Sequence, residues 1–161
     1  MSLGDRLIAW ADRRPPDFVI GGWENPYLLR WWLMPWREWQ ERAKASPRWL
    51  TRAAARVVGL LPQVYLHNFR RSDDDRALHD HPWLFNASVL LRGYYWEHTP
   101  DAPAAGQLRG PGDFVWRWLG APHRVQLAEP GHSLAQHEVW TIFIVGPKVR
   151  EWGFHCPRGW V

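Results

Sequence analysis

His79 and His81 lie two residues apart and offer the clearest chemistry in this 161-residue sequence. Side chains at positions i and i+2 of a β-strand point to the same face, so the two imidazoles would be close enough to share one metal ion. Asp80 would point to the opposite face and is expected to support the ligands or lie at the surface. Because the chain has eight histidines, such a pair also arises by chance, so its meaning depends on the rest of the sequence.

A third histidine, His123, follows about forty residues later in a recognisable setting. Pro111-Gly112-Asp113 opens one predicted strand, and Gly120-Ala121-Pro122 turns the chain just before His123. From the residues alone, the three histidines are either metal-binding residues or structural histidines that only form hydrogen bonds.

The first 62 residues are predicted to form a helical extension that packs on the rest of the chain. A short amphipathic helix over 3–13 must end before Pro15-Pro16. A second helix is predicted over 26–34, with Pro26 at its first position. A third begins at Ser46-Pro47 and continues to Leu61, with apolar residues spaced three or four apart.

From Gln63 onward the pattern changes to short apolar or alternating runs separated by turn residues. Strands are predicted over 64–70, 77–82, 86–98, 113–118, 123–127, 138–145 and 151–155. Seven short strands predict a mainly β jelly-roll or sandwich domain over residues 63–161, which follows the extension over residues 1–62.

Two of these segments resemble the two conserved motifs of the cupin superfamily. The stretch from His79 to Gly93 resembles the first motif, and Pro111 to His123 resembles the second. The resemblance implies a double-stranded β-helix, a jelly-roll barrel, with a metal ion held inside by His79, His81 and His123. The glutamate ligand of the first motif falls on Asn86, so this chain departs from the usual pattern there.

The thiol dioxygenases are cupins that bind iron through three histidines alone. The resemblance therefore implies one divalent metal ion, with iron first and zinc, nickel and copper as alternatives. More narrowly, the chain from Tyr65 to Trp160, together with 17–32, resembles small cupin-like proteins of bacteria and their phages, while the region 36–62 has no counterpart in them.

Five further residues are candidates for the pocket around such a metal. Asn86 would fix a water or substrate, or else cap a turn. Arg117 would clamp a carboxylate if it faced into the barrel, although an outward arginine stacked on a neighbouring tryptophan is favoured. His67 is either a fourth ligand or a core residue, and Tyr95 and Trp140 are pocket candidates without an assigned face.

Composition excludes several classes of protein. The net charge of +4 is spread along the chain without a run of like charges, so nucleic acid is not an expected partner. A single cysteine, Cys156, rules out an internal disulfide and favours a reducing, cytoplasmic setting. We find neither a signal-peptide pattern nor an apolar run of membrane-spanning length.

Three functions follow from these features. The first is a metal-dependent enzyme, expected to be a non-haem oxygenase or dioxygenase acting on a small organic substrate. The second is a non-catalytic cupin that binds a small ligand or has a structural role. The third is docking to a membrane or partner protein through the tryptophan- and arginine-rich helices of the first 62 residues. A homodimer would be compatible with each of them.

Overall fold

The computed structural model describes residues 1–73, 77–128, 132–133 and 138–161. These residues form the helices α1 (Leu3–Ala11), α2 (Pro35–Lys44) and α3 (Trp49–Val58). The strands are β1 (Phe18–Ile20), β2 (Leu28–Trp32), β3 (Gln63–Phe69), β4 (Leu78–His79), β5 (Phe85–Arg92), β6 (Tyr95–His98), β7 (Gln107–Arg109), β8 (Phe114–Trp118), β9 (Arg124–Leu127), β10 (Val139–Val145), β11 (Phe154–Cys156) and β12 (Gly159–Trp160). The predicted mainly β fold is confirmed.

The strands form two layers. One is a six-stranded sheet in the order β1-β2-β3-β10-β5-β8, with antiparallel pairing throughout. The other consists of two three-stranded sheets, β12-β11-β4 and β7-β6-β9, which an antiparallel bridge between His79 and His123 joins edge to edge. This arrangement is the double-stranded β-helix that the sequence predicts.

Alternation along the strands places one set of side chains between the layers. In β8, Val115 and Arg117 are buried while Phe114, Trp116 and Trp118 are exposed. An apolar cluster fills one part of the interior; it contains Leu90, Tyr95, Val125, Leu127 and Val139. Polar side chains of the interior adjoin this cluster, since the buried Glu97 lies opposite Val125 in the β6–β9 register.

A second core lies on the outer face of the six-stranded sheet. There Ile8 and Ala11 of α1 pack against Trp31, Leu66 and Trp140, and the two indoles stack with ring centroids 5.4 Å apart. The helix begins with a capping box, in which Ser2 and Asp5 satisfy each other's backbone donors. The first and third predicted helices are thus confirmed, with ends that differ by a few residues.

The helix predicted over 26–34 is wrong, because this segment forms strand β2. Its residues pair antiparallel with β3, from Leu28 opposite Phe69 to Trp32 opposite Tyr65. Helix α2, which starts with Pro35 at its first position, follows instead. Residues 1–62 therefore contribute two strands to the six-stranded sheet as well as three helices. Within the described residues, no helix combines the length and apolar character needed to cross a membrane.

The strand predicted over 86–98 is divided in two by Gly93. This glycine has a φ of 83°, and a Cβ atom there would lie 2.7 Å from the carbonyl oxygen of Glu138. Only glycine adopts that conformation without strain, so the chain turns here from β5 in one layer to β6 in the other.

Candidate metal centre

Strand pairing brings His79 and His123 side by side. Each backbone N–H donates to the other residue's carbonyl at 2.9 Å, which makes them a hydrogen-bonded antiparallel pair. Side chains of such a pair project to the same face. His81 follows His79 by two residues, so it projects to that face as well.

The three imidazoles form a compact triangle. Ring centroids are 5.3 Å apart for His79 and His81, 4.8 Å for His79 and His123, and 4.9 Å for His81 and His123. One nitrogen of each ring lies within 4.8 Å of the others. The structure therefore brings together all three residues that the sequence predicts as ligands.

Burial keeps the imidazoles of His81 and His123 neutral. It is the largest effect on His81 and His123 and lowers the pKa of both well below the usual value, with further lowering by neighbouring histidines and the Arg117 guanidinium. A neutral imidazole presents a lone pair, which is the form that binds a metal.

The geometry of the ring nitrogens fits a divalent metal. The His123 side chain is buried, and its ring interacts with the Ala121 backbone carbonyl, which raises its pKa against the larger effect of burial. Metal–nitrogen bonds of about 2.1 Å would bring the nitrogens to about 3.0–3.4 Å from one another, a shift that side-chain rotation can supply. The cluster can hold a metal ion, and a three-histidine set leaves coordination positions open.

Asp80, between two of the ligands, is fully buried and anchors the segment that carries them. Its carboxylate accepts hydrogen bonds from His155 Nε2 at 2.8 Å, from Trp160 Nε1 at 3.0 Å and from Arg150. Burial alone would raise the pKa of Asp80, but these hydrogen bonds outweigh it and hold the pKa below its ordinary value. The expectation that Asp80 supports the ligands agrees with this placement, whereas a surface position does not.

The C-terminal strands complete this anchor. β11 pairs with β4, with Phe154 opposite His79, and the Asp80 backbone N–H donates to the Gly153 carbonyl at 3.0 Å. On the other side of the ligand segment, His79 Nδ1 lies 3.8 Å from the Asp73 carboxylate, which itself accepts a hydrogen bond from the Val125 N–H. These contacts fix the backbone direction from which the imidazoles project.

Arg117 faces into the barrel, so the favoured outward orientation is wrong. The residue is 7% exposed and lies opposite Asn86, whose Oδ1 accepts a hydrogen bond from Nη1 at 3.4 Å. Its main partner is Glu97, which is 1% exposed and also binds Arg109 at 2.8 Å. The buried Glu97 carboxylate holds the Arg117 guanidinium inside the barrel. The alternation of residues along β8 could not predict this ion pair, because Glu97 lies on β6.

Asn86 occupies the sequence position of the missing glutamate ligand and is buried beside Arg117. His67 is buried on β3, and its Nε2 accepts a hydrogen bond from Arg30 Nε at 2.8 Å. Because arginine only donates, that nitrogen is unprotonated and already occupied. His67 therefore lies beside the histidine triad as a partner of Arg30, outside the three-residue cluster.

The remaining two candidates lie away from the triad. Tyr95 belongs to the apolar interior cluster, where burial raises the pKa of its hydroxyl although the nearby Arg117 guanidinium opposes this. Trp140 lies on the outer face of the sheet, stacked on Trp31 beneath α1. Arg30 was missed from the sequence, since the helix predicted over 26–34 hid the alternation that directs it inward.

Comparison with known proteins adds to the description of the fold. No protein-family model matches the chain, and no curated protein matches its sequence. Among solved structures it is similar to a cupin-like protein from Thermotoga maritima (15% identity, 79% of this chain and 74% of that chain, TM-score 0.47). It is also similar to an RmlC-like cupin protein from Ralstonia eutropha (10% identity, 88% and 68%, TM-score 0.48).

A third similar structure is an uncharacterized conserved protein with a double-stranded β-helix domain from Klebsiella pneumoniae (15% identity, 58% of this chain and 73% of that chain, TM-score 0.43). The two strand layers define the jelly-roll class of fold from this chain's own topology. The likeness to these structures concerns the course of the chain alone and not any activity.

Proposed function

We propose that this chain is a metal-binding cupin in which His79, His81 and His123 hold one divalent metal ion. The observation that carries the proposal is the triangle of three imidazoles, whose ligand nitrogens lie within 4.8 Å of one another where the two small sheets meet. Three imidazoles gathered in this way are a common ligand set for a divalent metal. The anchoring of Asp80 and the strand pairing of His79 add the rigidity that a metal site requires.

We further propose that the site is catalytic and that the protein is a non-haem oxygenase, of the dioxygenase class, for a small organic substrate. A dioxygenase adds both atoms of O₂ to its substrate, so it needs no external reductant. Iron bound to the three histidines would supply the redox chemistry. The protein's own groups hold the ligands in place, and the rings of Trp83 and Phe143 beside His81 limit the access of water.

Oxygen uptake tests this activity. Chelator-treated protein is loaded with Fe(II), and consumption of O₂ is followed with a panel of small thiols, hydroxy acids and phenols. We expect uptake that depends on one substrate class and is absent both from zinc-loaded protein and from a His123→Ala variant. If none of the iron, nickel, copper or cobalt forms consumes O₂ with any substrate, the oxygenase proposal is refuted.

One observation favours a non-catalytic cupin as the alternative. Asn86, at the position of the acid ligand, is engaged with Arg117 rather than free to bind a metal. In that case metal would serve stability or ligand binding alone. His123→Ala would then lower the thermal midpoint without loss of turnover in any assay. We place either function in the cytoplasm, where Cys156, which is free in the structure, stays reduced.

The α2–α3 hairpin supports a second candidate function, docking to an anionic membrane surface. Ala55 is the buried residue of α3, while Trp49 and Val57 are 67% and 66% exposed on one stripe of the helix. Arg48, Arg52 and Arg56, spaced four apart, are exposed beside that stripe. A helix with adjacent apolar and basic stripes suits the interface of a membrane that contains acidic lipids.

Vesicle co-sedimentation tests the docking proposal. We expect the protein to sediment at low salt with vesicles that contain phosphatidylserine, and a Trp49→Ser variant to bind them less. Trp118→Ser is a matched control, because Trp118 is 63% exposed but lies on β8. An equal loss of vesicle binding in the Trp49→Ser and Trp118→Ser variants would exclude the hairpin as a membrane contact. Absence of sedimentation by the unmodified protein would exclude it as well.

A further inference from the structure

We propose that the guanidinium of Arg30 binds the carboxylate of a small organic acid whose other end faces the histidine triad. This inference deepens the proposed function, and its second half rests on a metal being bound there. It names the substrate class as small carboxylic acids that carry a second polar group.

Strand pairing places Arg30 on the inward face of the large sheet. The residue lies opposite His67 in the β2–β3 register, and both side chains project between the layers. Nε of Arg30 donates to His67 Nε2 at 2.8 Å, and the guanidinium carbon lies 4.8 Å from the centre of the Tyr65 ring. The hydrogen bond to His67 and the stacking on the Tyr65 ring therefore fix the Arg30 side chain. Its two terminal amino groups remain for another acceptor.

These two amino groups have the geometry that a carboxylate needs. The terminal nitrogens of a guanidinium form a planar fork that accepts a carboxylate through two parallel hydrogen bonds. In the part of the chain that the structure describes, neither terminal nitrogen forms a hydrogen bond, and Nε alone has one, to His67. The side chain is partly exposed, so a ligand can reach it.

The charge of Arg30 is not balanced within the described residues. Arg117 and Arg109 share Glu97, and Arg150 binds Asp80, but no carboxylate pairs with Arg30. Burial lowers the pKa of Arg30 to about 10, so the group is still a cation at neutral pH. A cation in such surroundings is costly unless a counter-ion is bound, and a ligand carboxylate would supply one.

The second cation near this position is already neutralised. Arg37 of α2 lies over the Trp32 ring at 5.7 Å and pairs with Glu41 at 2.9 Å. One positive charge thus remains for the ligand, which matches a single carboxylate better than a doubly charged phosphate. The planar fork favours the same choice.

The Phe143 ring lies near both the Arg30 partner and the triad. Its centre is 4.8 Å from that of His67, which binds Arg30, and 5.6 Å from that of His81. A ligand that is bound to Arg30 and also reaches the triad would pass this ring, with a hydroxyl, thiol or carbonyl group at the end away from its carboxylate.

A structural role for Arg30 makes a different prediction. If Arg30 served only to orient His67, an Arg30→Met variant would bind carboxylates as the unmodified protein does. The variant leaves the buried His67 Nε2 without its donor under either role, so binding rather than the thermal midpoint distinguishes the two.

The experiment measures the binding of glycolate by the full chain, after chelation and after loading with zinc. Titration calorimetry at fixed ionic strength compares glycolate, inorganic phosphate and chloride. We expect glycolate to bind the unmodified protein, and Arg30→Met to weaken it at least about tenfold, the loss expected for a charge-assisted pair. Arg30→Lys, which keeps the charge but lacks the planar fork, should bind glycolate with an affinity between those of Arg30→Met and the unmodified protein. Arg92→Met, which removes an exposed arginine, is the control and should bind glycolate as the unmodified protein does.

Each outcome decides the inference. Equal glycolate binding by the Arg30→Met and unmodified proteins would overturn it, as would Arg30-dependent binding of phosphate without glycolate. Tighter glycolate binding by zinc-loaded than by chelated protein supports the placement of the second polar group at the metal, and equal binding overturns that half. Arg30-dependent binding in a protein that takes up no metal would leave the carboxylate site standing while the metal proposal fails.

Discussion

Three histidines of the barrel interior, His67, His81 and His123, should make the metal-free protein sensitive to mild acid. Burial lowers the pKa of each well below the usual value near 6.5. Below that value the unfolded chain takes up protons that the folded chain does not, so the free energy of unfolding falls as the pH decreases from about 6.5 toward the native pKa. Above about 6.5 these residues add no pH dependence.

The expected slope is up to about 1.4 kcal/mol per pH unit for each residue. Urea unfolding of chelator-treated protein at several pH values between 7.5 and 5 measures it. A His67→Gln variant keeps an acceptor for Arg30 and should show a shallower slope, while His98→Gln serves as a control. A slope unaffected by the His67 change would show that this ring is protonated in the folded state.

At the scale of single residues, the sequence predicts the ligands better than their surroundings. His79 and His81 are found because strand alternation is a local rule, and their partner His123 is found by resemblance. The inward face of Arg117 is not predictable from its own strand, because Glu97 on another strand decides it. Arg30 is hidden for the same reason, since pairing with β3 directs it toward His67.

At the scale of elements, the contact between Asp80 and the C-terminal strands should control both stability and metal affinity. An Asp80→Asn variant keeps the shape but removes the charge that Arg150 and His155 bind. We expect a loss of about 1–3 kcal/mol in the free energy of unfolding. We also expect metal affinity to fall about tenfold, because the segment that holds His79 and His81 loses its anchor.

Chemical denaturation and competition with a metal-binding dye measure the two effects. Asp101→Asn is a suitable control, because Asp101 is an exposed carboxylate in the turn before β7. Wild-type stability and affinity in the Asp80→Asn variant would show that β11 and β12 position the ligands without this carboxylate.

The helices and strands of the chain differ in how far local sequence determines them. Helices α1 and α3 follow from apolar spacing and from the prolines beyond their C-terminal ends, which act over one or two turns. The cap predicted at Ser46 is wrong, because α3 begins after Arg48, whose side chain makes no capping hydrogen bond. Strand β2 contains leucine and arginine, which favour helices in isolation, and becomes a strand because β3 offers it hydrogen-bond partners more than thirty residues away. The split at Gly93 depends on how closely the Glu138 carbonyl approaches, which is also a tertiary contact.

At the scale of the whole molecule, the α2–α3 hairpin is inserted between two neighbouring strands of the barrel. Trp32 lies opposite Tyr65, and the Leu33 N–H donates to the Val64 carbonyl at 3.0 Å, so the strands are adjacent on either side of the hairpin. We predict that replacement of residues 35–62 by Asn-Gly, a two-residue hairpin turn, leaves a folded barrel.

The shortened chain should unfold cooperatively and retain about one metal ion per chain, because the triad lies in other elements. Circular dichroism, thermal unfolding and metal analysis measure these properties. It should also lose any binding to anionic vesicles. Failure of the shortened chain to fold would show that the hairpin is an integral part of the barrel.

The number of strands and the turns between them predicted a jelly roll or sandwich, and the resemblance to the cupin motifs implied the double-stranded β-helix, but the position of its seam was not predictable. The layer opposite the large sheet is made of two small sheets that meet at the bridge between His79 and His123. A metal ion bound to both residues would therefore hold the two sheets together. Metal binding and stability of the barrel are expected to be coupled for this reason.

The metal content of the full chain, purified without a histidine tag and determined by elemental analysis, tests the central claim most directly. His79→Ala and His123→Ala variants are analysed beside it, with circular dichroism as a check of folding. We predict about one iron, zinc, nickel or copper ion per chain in the unmodified protein and its loss from both folded variants. An unmodified protein that holds no metal and takes none up on titration, or a variant that keeps its full complement, would contradict the claim.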